Sequence, residues 1–197
     1  MSQVLHHEPW VGTSIQTYTG REFFPLDPQP EHIDSLDIAH ALSLKCRYTG
    51  HCAWFYSVAQ HSVVLCDYVR EIGLSTLDQQ WALMHDASEA YLPDVARPIK
   101  DDLPGFRAIE DRVMSAVAER YQLPLPMPVA IHKLDRLAYW RERLTLMKDV
   151  DWFRGHPQFM PVSEKVQALM PLPQWTWERA RQEWWDRFWL LFPTELR

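Results

Sequence analysis

An all-α fold, a compact orthogonal multi-helix bundle with a short N-terminal β-hairpin, is predicted for this chain by three observations. Apolar residues recur at helical spacing in successive segments from Asp34 to Leu191. Proline- or cap-bearing stretches punctuate those segments. Strand-like patterning is confined to residues 1–30, which are rich in aromatics, Gly, Pro and Thr.

The elements follow in order. Ser14–Tyr18, Thr19-Gly20 and Arg21–Phe24 predict a hairpin turned at Gly20, ended by Pro25, Pro28 and Pro30. A short helix carrying Ile38, Leu42 and Leu44 runs from Asp34 to about Lys45. Ser57 followed by Gln60 is a capping-box signature, opening a helix with Val58, His61, Val64, Leu65 and Tyr68 along one arc. Ser75 or Thr76 caps a helix from Leu77 to about Ala90, stopped near Pro93. Pro104 stands at a first-turn position of the next, with Phe106, Ile109, Val113, Ala116 and Val117 at helical spacing. Leu123–Pro128 breaks the pattern, a long helix follows from Val129 to Lys148, Phe153–Met160 is a loop, and a last helix runs from about Gln174 to Leu191. No repeat or low-complexity segment is present.

Size and charge narrow the functions. At 197 residues and 47% apolar, the chain is long enough for one well-filled core, so a single domain is expected over 1–197. A net charge of −6 and a pI of 5.8 recruit neither nucleic acid nor anionic membrane, leaving local Arg and Lys to hold any small anion. No signal-peptide pattern and no bilayer-length apolar run occur. The three cysteines Cys46, Cys52 and Cys66 form no CxxC pair, which predicts reduced thiols in a cytoplasmic protein, with Cys66 a small core residue. His6-His7 is too short for a metal site.

Four residues carry the chemistry: His61, the doublet His85-Asp86, and Asp135. His61 shares its arc with Val58, Val64 and Leu65. The doublet ends the apolar run Trp81–Met84, deep in a helix, and Asp135 sits among Ile131, Leu134 and Ala138. A buried unpaired carboxylate is costly, and a shared cation is the simplest way to neutralise two. Imidazole and carboxylate together suit a divalent transition metal: Co, Mn, Zn, Ni or Fe. Such an ion with water in an open position is the equipment of a hydrolase.

The order H…HD…D, with the doublet in His85-Asp86-Ala87-Ser88-Glu89-Ala90, resembles the HD-domain phosphohydrolase superfamily. Arg47–His51 followed by Tyr56–Ser62, and the block Leu92–Lys100, are similar to segments of its small nucleotide-hydrolase branch, the 5′-deoxynucleotidases and phage dATP triphosphohydrolases. The likeness covers residues 15–150 and leaves 151–197 as a Trp-rich helical extension. It implies that His61, His85, Asp86 and Asp135 are metal ligands, and that activated water attacks phosphorus of a (deoxy)nucleotide. Glu89, four residues after His85 and three after Asp86, would share their helical face. With Asp94, the resemblance gives it the task of orienting or deprotonating water and handling the leaving group's proton. Arg47, Arg97 and Lys100 are the phosphate-binding candidates, since guanidinium grips phosphate bidentately. Tyr48 or Trp54 would stack on a base, and His51 would face the pocket mouth. Relatives of this kind self-associate, so a homo-oligomer, dimer or higher, is expected.

The leading expectation is a 5′-deoxynucleotidase with a small-molecule nucleotide substrate. The alternatives are a dNTP triphosphohydrolase releasing tripolyphosphate, a phosphodiesterase, and a non-catalytic nucleotide sensor. Few cations beyond Arg47, Arg97 and Lys100 tilt the choice towards monophosphates. No extra His pair for a second metal is found, His132 near Asp135 excepted. In the tail, Trp177, Ala180, Trp184, Phe188 and Leu191 follow helical spacing and predict a packing face, which Trp185 and Trp189 widen.

Overall fold

A computed structural model describes residues 13–193, and of Arg97 the backbone alone; His6-His7 lies outside the described residues. The chain is mostly helical, as the periodicity predicts, with one two-stranded hairpin. Strands β1 (Ile15–Gln16) and β2 (Glu22–Phe23) pair antiparallel, Ile15 opposite Phe23. Gly20 turns the loop at φ 84°, a left-handed conformation that glycine takes without a Cβ clash. The hairpin is tied to the body where Asp37 accepts from the Thr19 amide and hydroxyl, at 2.7 and 3.0 Å.

The described helices are α1 (Ser35–Leu44), α2 (Val58–Glu71), α3 (Thr76–Met84), the single-turn α4 (Arg97–Lys100), α5 (Phe106–Arg120), α6 (Val129–Leu146), α7 (Asp151–Arg154), α8 (Glu164–Leu169) and α9 (Trp177–Leu191). Helix α2 is central. It packs on α3 and α9, with α1 and α6 alongside, while α5 closes the far side against the turns at Pro30–His32 and Ala87–Ala90. Ile38, Leu42, Leu65, Trp81, Leu83, Val117, Ile131, Trp184 and Phe188 fill one continuous core. The tail's predicted packing face is there: Ala180, Trp184, Phe188 and Leu191 are buried against the first three helices, with Trp185 and Trp189 packed at its margin. A second apolar cluster of Trp140, Phe153 and Val162 pins the segment after α6 onto that helix.

Several boundaries differ from expectation, each for a local reason. Leu44 is exposed because α1 ends on it. Ser57 caps α2 by accepting from the Gln60 amide at 3.1 Å, but the Gln60 side chain reaches across to the Pro173 carbonyl at 2.6 Å instead of back to the cap. Pro104 stands one residue before the α5 cap, Gly105. Phe153 belongs to α7 rather than to a loop. The helix predicted to Ala90 stops at Met84, giving way to a tighter turn over Ala87–Ala90.

Ser75 and Asp78 form a reciprocal capping box on α3, the helix that delivers the metal-motif doublet. Ser75→Ala removes the hydroxyl half and is expected to cost about 1 kcal/mol. By calorimetry that is a fall of about 2–4 °C in melting temperature at this chain length. An unchanged melting curve would mean that the box contributes nothing.

Candidate metal centre

Three helices bring the predicted quartet together. His61 faces inward from the first turn of α2, His85 and Asp86 stand where α3 ends, and Asp135 comes from the second turn of α6. The Nε2 atoms of His61 and His85 lie 3.1 Å apart. Asp135 Oδ1 is 3.1 Å from the first and 3.7 Å from the second. Asp86 Oδ2 is 3.8 Å and 3.2 Å from them. His61, His85 and Asp86 alone form a group able to hold a metal ion. His61 is fully buried, whereas the Asp135 side chain is 41% exposed, so the site is walled on the α2 side and open on the α6 side.

The remaining ring nitrogens decide what this quartet can hold. His85 Nδ1 is 2.8 Å from the Ala82 carbonyl, which can only accept, so that nitrogen carries a proton. His61 Nδ1 is 2.6 Å from Glu142 Oε1. Burial alone would raise the Glu142 carboxyl, but the Arg47 and His61 charges outweigh it and hold it at about 2; it is ionised and it too accepts. With both Nδ1 atoms protonated, each ring on losing its second proton presents a bare Nε2 towards the carboxylates. His61 Nε2, His85 Nε2 and Asp86 Oδ2 then form a compact group of acceptors, and Asp135 Oδ1 flanks its two imidazoles.

Metal–nitrogen and metal–oxygen bonds of about 2.0–2.2 Å place the ligands of one ion about 3–3.5 Å apart. Three of the separations, 3.1, 3.1 and 3.2 Å, fall in that range and two, 3.7 and 3.8 Å, are slightly longer, and two carboxylates match the charge of a dication. Protons are the other way to neutralise such a set. Burial lowers both imidazoles, but Glu142 and Asp135 raise His61 above its ordinary value, and Asp86 and Asp135 raise His85 further. A metal therefore competes with protons here, and its affinity rises with pH.

Glu142 is the residue sequence reasoning missed. It is 1% exposed, and its two oxygens take four partners: His61, the Tyr56 hydroxyl at 3.1 Å, the Tyr48 hydroxyl at 2.7 Å and Arg47 Nε at 3.1 Å. Burial and then the Glu142 charge raise both tyrosine hydroxyls, so they stay protonated and donate. A carboxylate behind a ligating imidazole fixes its tautomer and orientation. The one available signal was spacing: Glu142 stands seven residues, two turns, beyond Asp135 on α6.

Arg47 is thus an internal partner as well as a phosphate candidate. It bonds Glu142, and its NH1 lies 3.5 Å from Asp86. It sits in a turn where Tyr48 and Thr49 adopt φ of 58° and 53°. Left-handed backbone costs a non-glycine residue about 1 kcal/mol or more. The Tyr48 and Arg47 bonds to Glu142 offset that strain.

The helix break corrects the placement of the doublet and of Glu89. His85 is the C-cap of α3 and Asp86 lies beyond it at φ −103°, so the two are not deep in a helix, and Glu89 comes from the following turn rather than from a shared helical face. Glu89 is half-buried beside the quartet. Burial, then the Asp86 and Asp94 charges, push its carboxyl up to about 8, with Arg47 and Lys100 opposing. Asp94 is exposed in the loop after Pro93. Lys45, absent from the sequence reading, donates to the carbonyls of Glu89 and Leu92 and anchors this turn. Lys100 is paired with Glu110 at 2.6 Å and lies over the Phe106 ring. The Arg97 side chain lies outside the described residues.

On the open side a cavity of about 610 Å³ is floored by Arg47 and Asp135. Arg136, Arg143, His132 and His156 supply cationic or titratable groups, and Tyr139, Trp140, Trp152 and Phe153 supply rings. The Arg143 guanidinium packs 4.2 Å from the centre of the Phe153 ring and 5.7 Å from Trp152. The aromatic faces in this cavity are thus not those expected. Tyr48 is turned to Glu142, Trp54 does not line the cavity, and His51 is exposed on the turn.

A mostly helical domain with a His-His-Asp-Asp cluster open on one side is the class that fold and site define, and no family model matches the chain. It belongs to the family of the uncharacterized protein YfdR of Escherichia coli, to which it is 35% identical over 160 residues, 81% of this chain and 86% of that protein. An uncharacterized protein of Rhodobacter capsulatus is 33% identical over 126 residues, 61% of this chain and 64% of its own length. Among the described residues no helix is long and apolar enough to cross a membrane.

Proposed function

We propose that this protein is a divalent-metal-dependent phosphohydrolase of the HD-domain type acting on deoxynucleotides, 5′-monophosphates foremost. The observation that carries the reading is the gathering of His61 Nε2, His85 Nε2 and Asp86 Oδ2 into one group able to hold a metal ion, with Asp135 Oδ1 against both imidazoles beside an open cavity. When bound there, a divalent ion supplies a Lewis acid that acidifies water and polarises a phosphoryl oxygen.

The chain's own residues supply the rest. Glu142 holds His61 with its free nitrogen forward, and Ala82 does the same for His85. Arg47 presents positive charge at the cavity floor, against the equatorial phosphate oxygens. Glu89, whose carboxyl burial raises, is the group beside the site that handles the proton of the departing O5′ of the nucleoside. Asp94, exposed in the loop after Pro93, adds a negative charge that raises the Glu89 carboxyl. The cavity's rings and guanidinia suit a substrate with both a flat base and an anionic group.

The cavity also favours a second reading. Arg136, Arg143, His132 and His156 are the additional basic residues a polyphosphate chain would need, and they support a triphosphohydrolase releasing tripolyphosphate. One screen separates the two: nucleoside mono-, di- and triphosphates against Mn, Co, Zn, Ni and Fe, with orthophosphate and tripolyphosphate resolved. Orthophosphate from monophosphates supports the first reading, tripolyphosphate the second. No release from any nucleotide with any metal overturns both and leaves a binding protein.

Glu89→Ala tests the proton-handling role. Metal content by elemental analysis should match wild type, while the hydrolysis rate falls by about 10²–10⁴-fold. Normal turnover in this variant would remove Glu89 from the chemistry.

A further inference from the structure

We propose that Cys46 and Cys52 form a redox-closing dithiol, an oxidation site whose disulfide locks the turn carrying Arg47 and Tyr48. The two Sγ atoms lie 3.4 Å apart, with both side chains half-buried and neither in a disulfide. A sulfur pair at this distance must approach by about 1.4 Å to reach the bonded length near 2.05 Å. Side-chain rotation and a small loop adjustment supply that.

The surroundings favour ring closure over other fates of the thiols. Cys46 and Cys52 bracket five residues, and Tyr48, Thr49 and Gly50 run left-handed in succession at φ 58°, 53° and 78°, which folds the turn back on itself and brings its ends together. Both ends are held independently. Cys46 bridges Ser57 in an isolated strand contact, Arg47 N donates to the Tyr56 carbonyl at 2.9 Å, and Ala53 N donates to the Leu146 carbonyl at 2.7 Å. The thiols are therefore presented to one another by backbone rather than by chance rotamers. Cys66 is the internal contrast: it is 2% exposed on α2, beyond the reach of a solvent oxidant.

The oxidant is a low-molecular-weight disulfide such as oxidised glutathione. One protein thiolate attacks it, forming a mixed disulfide and expelling one glutathione thiolate. The second protein thiolate attacks the protein sulfur of that bond, closing Cys46–Cys52 and expelling the second glutathione. Two protein thiols lose two protons and two electrons, and the oxidant becomes two reduced glutathiones. Burial and the Cys46 contact raise the Cys52 thiol, so little thiolate is present and closure is slow under mild oxidation. Arg47 and Tyr48 lie inside the closed ring and stay at Glu142. The oxidised protein is thus held in the arrangement that positions His61, and the locked form is the more stable one.

The experiment treats full-length protein with oxidised glutathione, quenches with an alkylating reagent, unfolds and digests it with trypsin. Cleavage after Lys45, Arg47 and Arg70 leaves Cys46 in a dipeptide and Cys52 with Cys66 in the peptide 48–70, so a disulfide tethers the two, and fragment sequencing shows which cysteine of the longer peptide is bonded and which alkylated after unfolding. The tethered pair is expected, with Cys66 alkylated and the melting temperature raised by about 5 °C. Cys52→Ser should instead carry glutathione on Cys46 and show no rise. Separate glutathione adducts on both cysteines of wild type, a disulfide between two molecules, or a tether without any rise in melting temperature would overturn the proposal. None of these readouts depends on hydrolysis, so they stand or fall apart from the enzymatic reading.

Discussion

Asp86→Ala protein is expected to take up no manganese or cobalt and to hydrolyse no nucleotide. Asp86 is one of only two anionic groups in the quartet, and its Oδ2 lies 3.2 Å from His85 Nε2. Without it, one carboxylate and two imidazoles face the cavity, too little negative charge to match a dication. The Arg47 guanidinium, 3.5 Å away, loses one of its two carboxylate partners and keeps only Glu142, so its charge weighs more against a dication. Glu89 changes as well. Asp86 is the largest charge holding its carboxyl at about 8, so the variant lowers it and weakens its hold on a proton at neutral pH. Activity therefore fails twice, through the ion and through the acid. Thermal shift with added metal is the direct measurement. At 100 times the dissociation constant a ligand stabilises wild type by about 2.7 kcal/mol, worth about 5–10 °C here. The variant should show no shift. If Asp86→Ala bound metal with wild-type stoichiometry, the proposed centre would be wrong.

The quartet was legible because its chemistry is written in residue type. Histidine and aspartate on otherwise apolar arcs have few inexpensive explanations, and His61 among Val58, Val64 and Leu65 is where periodicity put it. The helices were legible for the same reason, since α2, α5, α6 and α9 are long and one-sided. The break after Met84 was not. Ala87, Tyr91 and Leu92 are buried just as a continuing helix would bury them, so apolar spacing runs through a change of backbone unmarked. Only the departure of Asp86 from helical φ reveals it.

The second tier of the site was hidden by a different cause. Glu142 lies in Arg141-Glu142-Arg143, which reads as a solvated helix surface. Its burial depends on the turn at Arg47–Gly50 folding over α6, a contact between residues about ninety positions apart. The cavity was hidden likewise. Its rings come from α6 and α7, and the Trp140–Phe153–Val162 cluster brings the two elements together, with Trp140 and Phe153 tilted at 5.1 Å. Tyr48 and Trp54 are nearer to His61 in sequence, but Tyr48 is turned inward by its bond to Glu142. Sequence order indicates which groups carry chemistry, and tertiary contact decides which groups orient them.

Glu142 makes that dependence measurable. Replacing it by alanine leaves Arg47, Tyr48, Tyr56 and His61 aimed at an empty space. Removing one partner of a buried charge network costs about 3–5 kcal/mol. A fall of about 10 °C in melting temperature is expected, and loss of soluble protein is the extreme of the same effect. Glu142→Gln is the gentler probe. Its amide keeps one acceptor, but its NH₂ confronts groups that are themselves donors, so His61 loses the partner that fixes its tautomer. Metal affinity should fall by about 10–100-fold while the quartet itself is untouched. The pH dependence has a definite sign. The folded carboxyl is near 2 against an ordinary 4.5, so its contribution is fully present above about pH 4.5 and is lost as pH falls towards 2. The difference amounts to something on the order of 3 kcal/mol. Wild type should lose stability through that window, and Glu142→Gln, with nothing there to titrate, should lose less. Parallel acid-unfolding curves for the two proteins would show that Glu142 is neither ionised nor central, and that His61 is oriented by some other group.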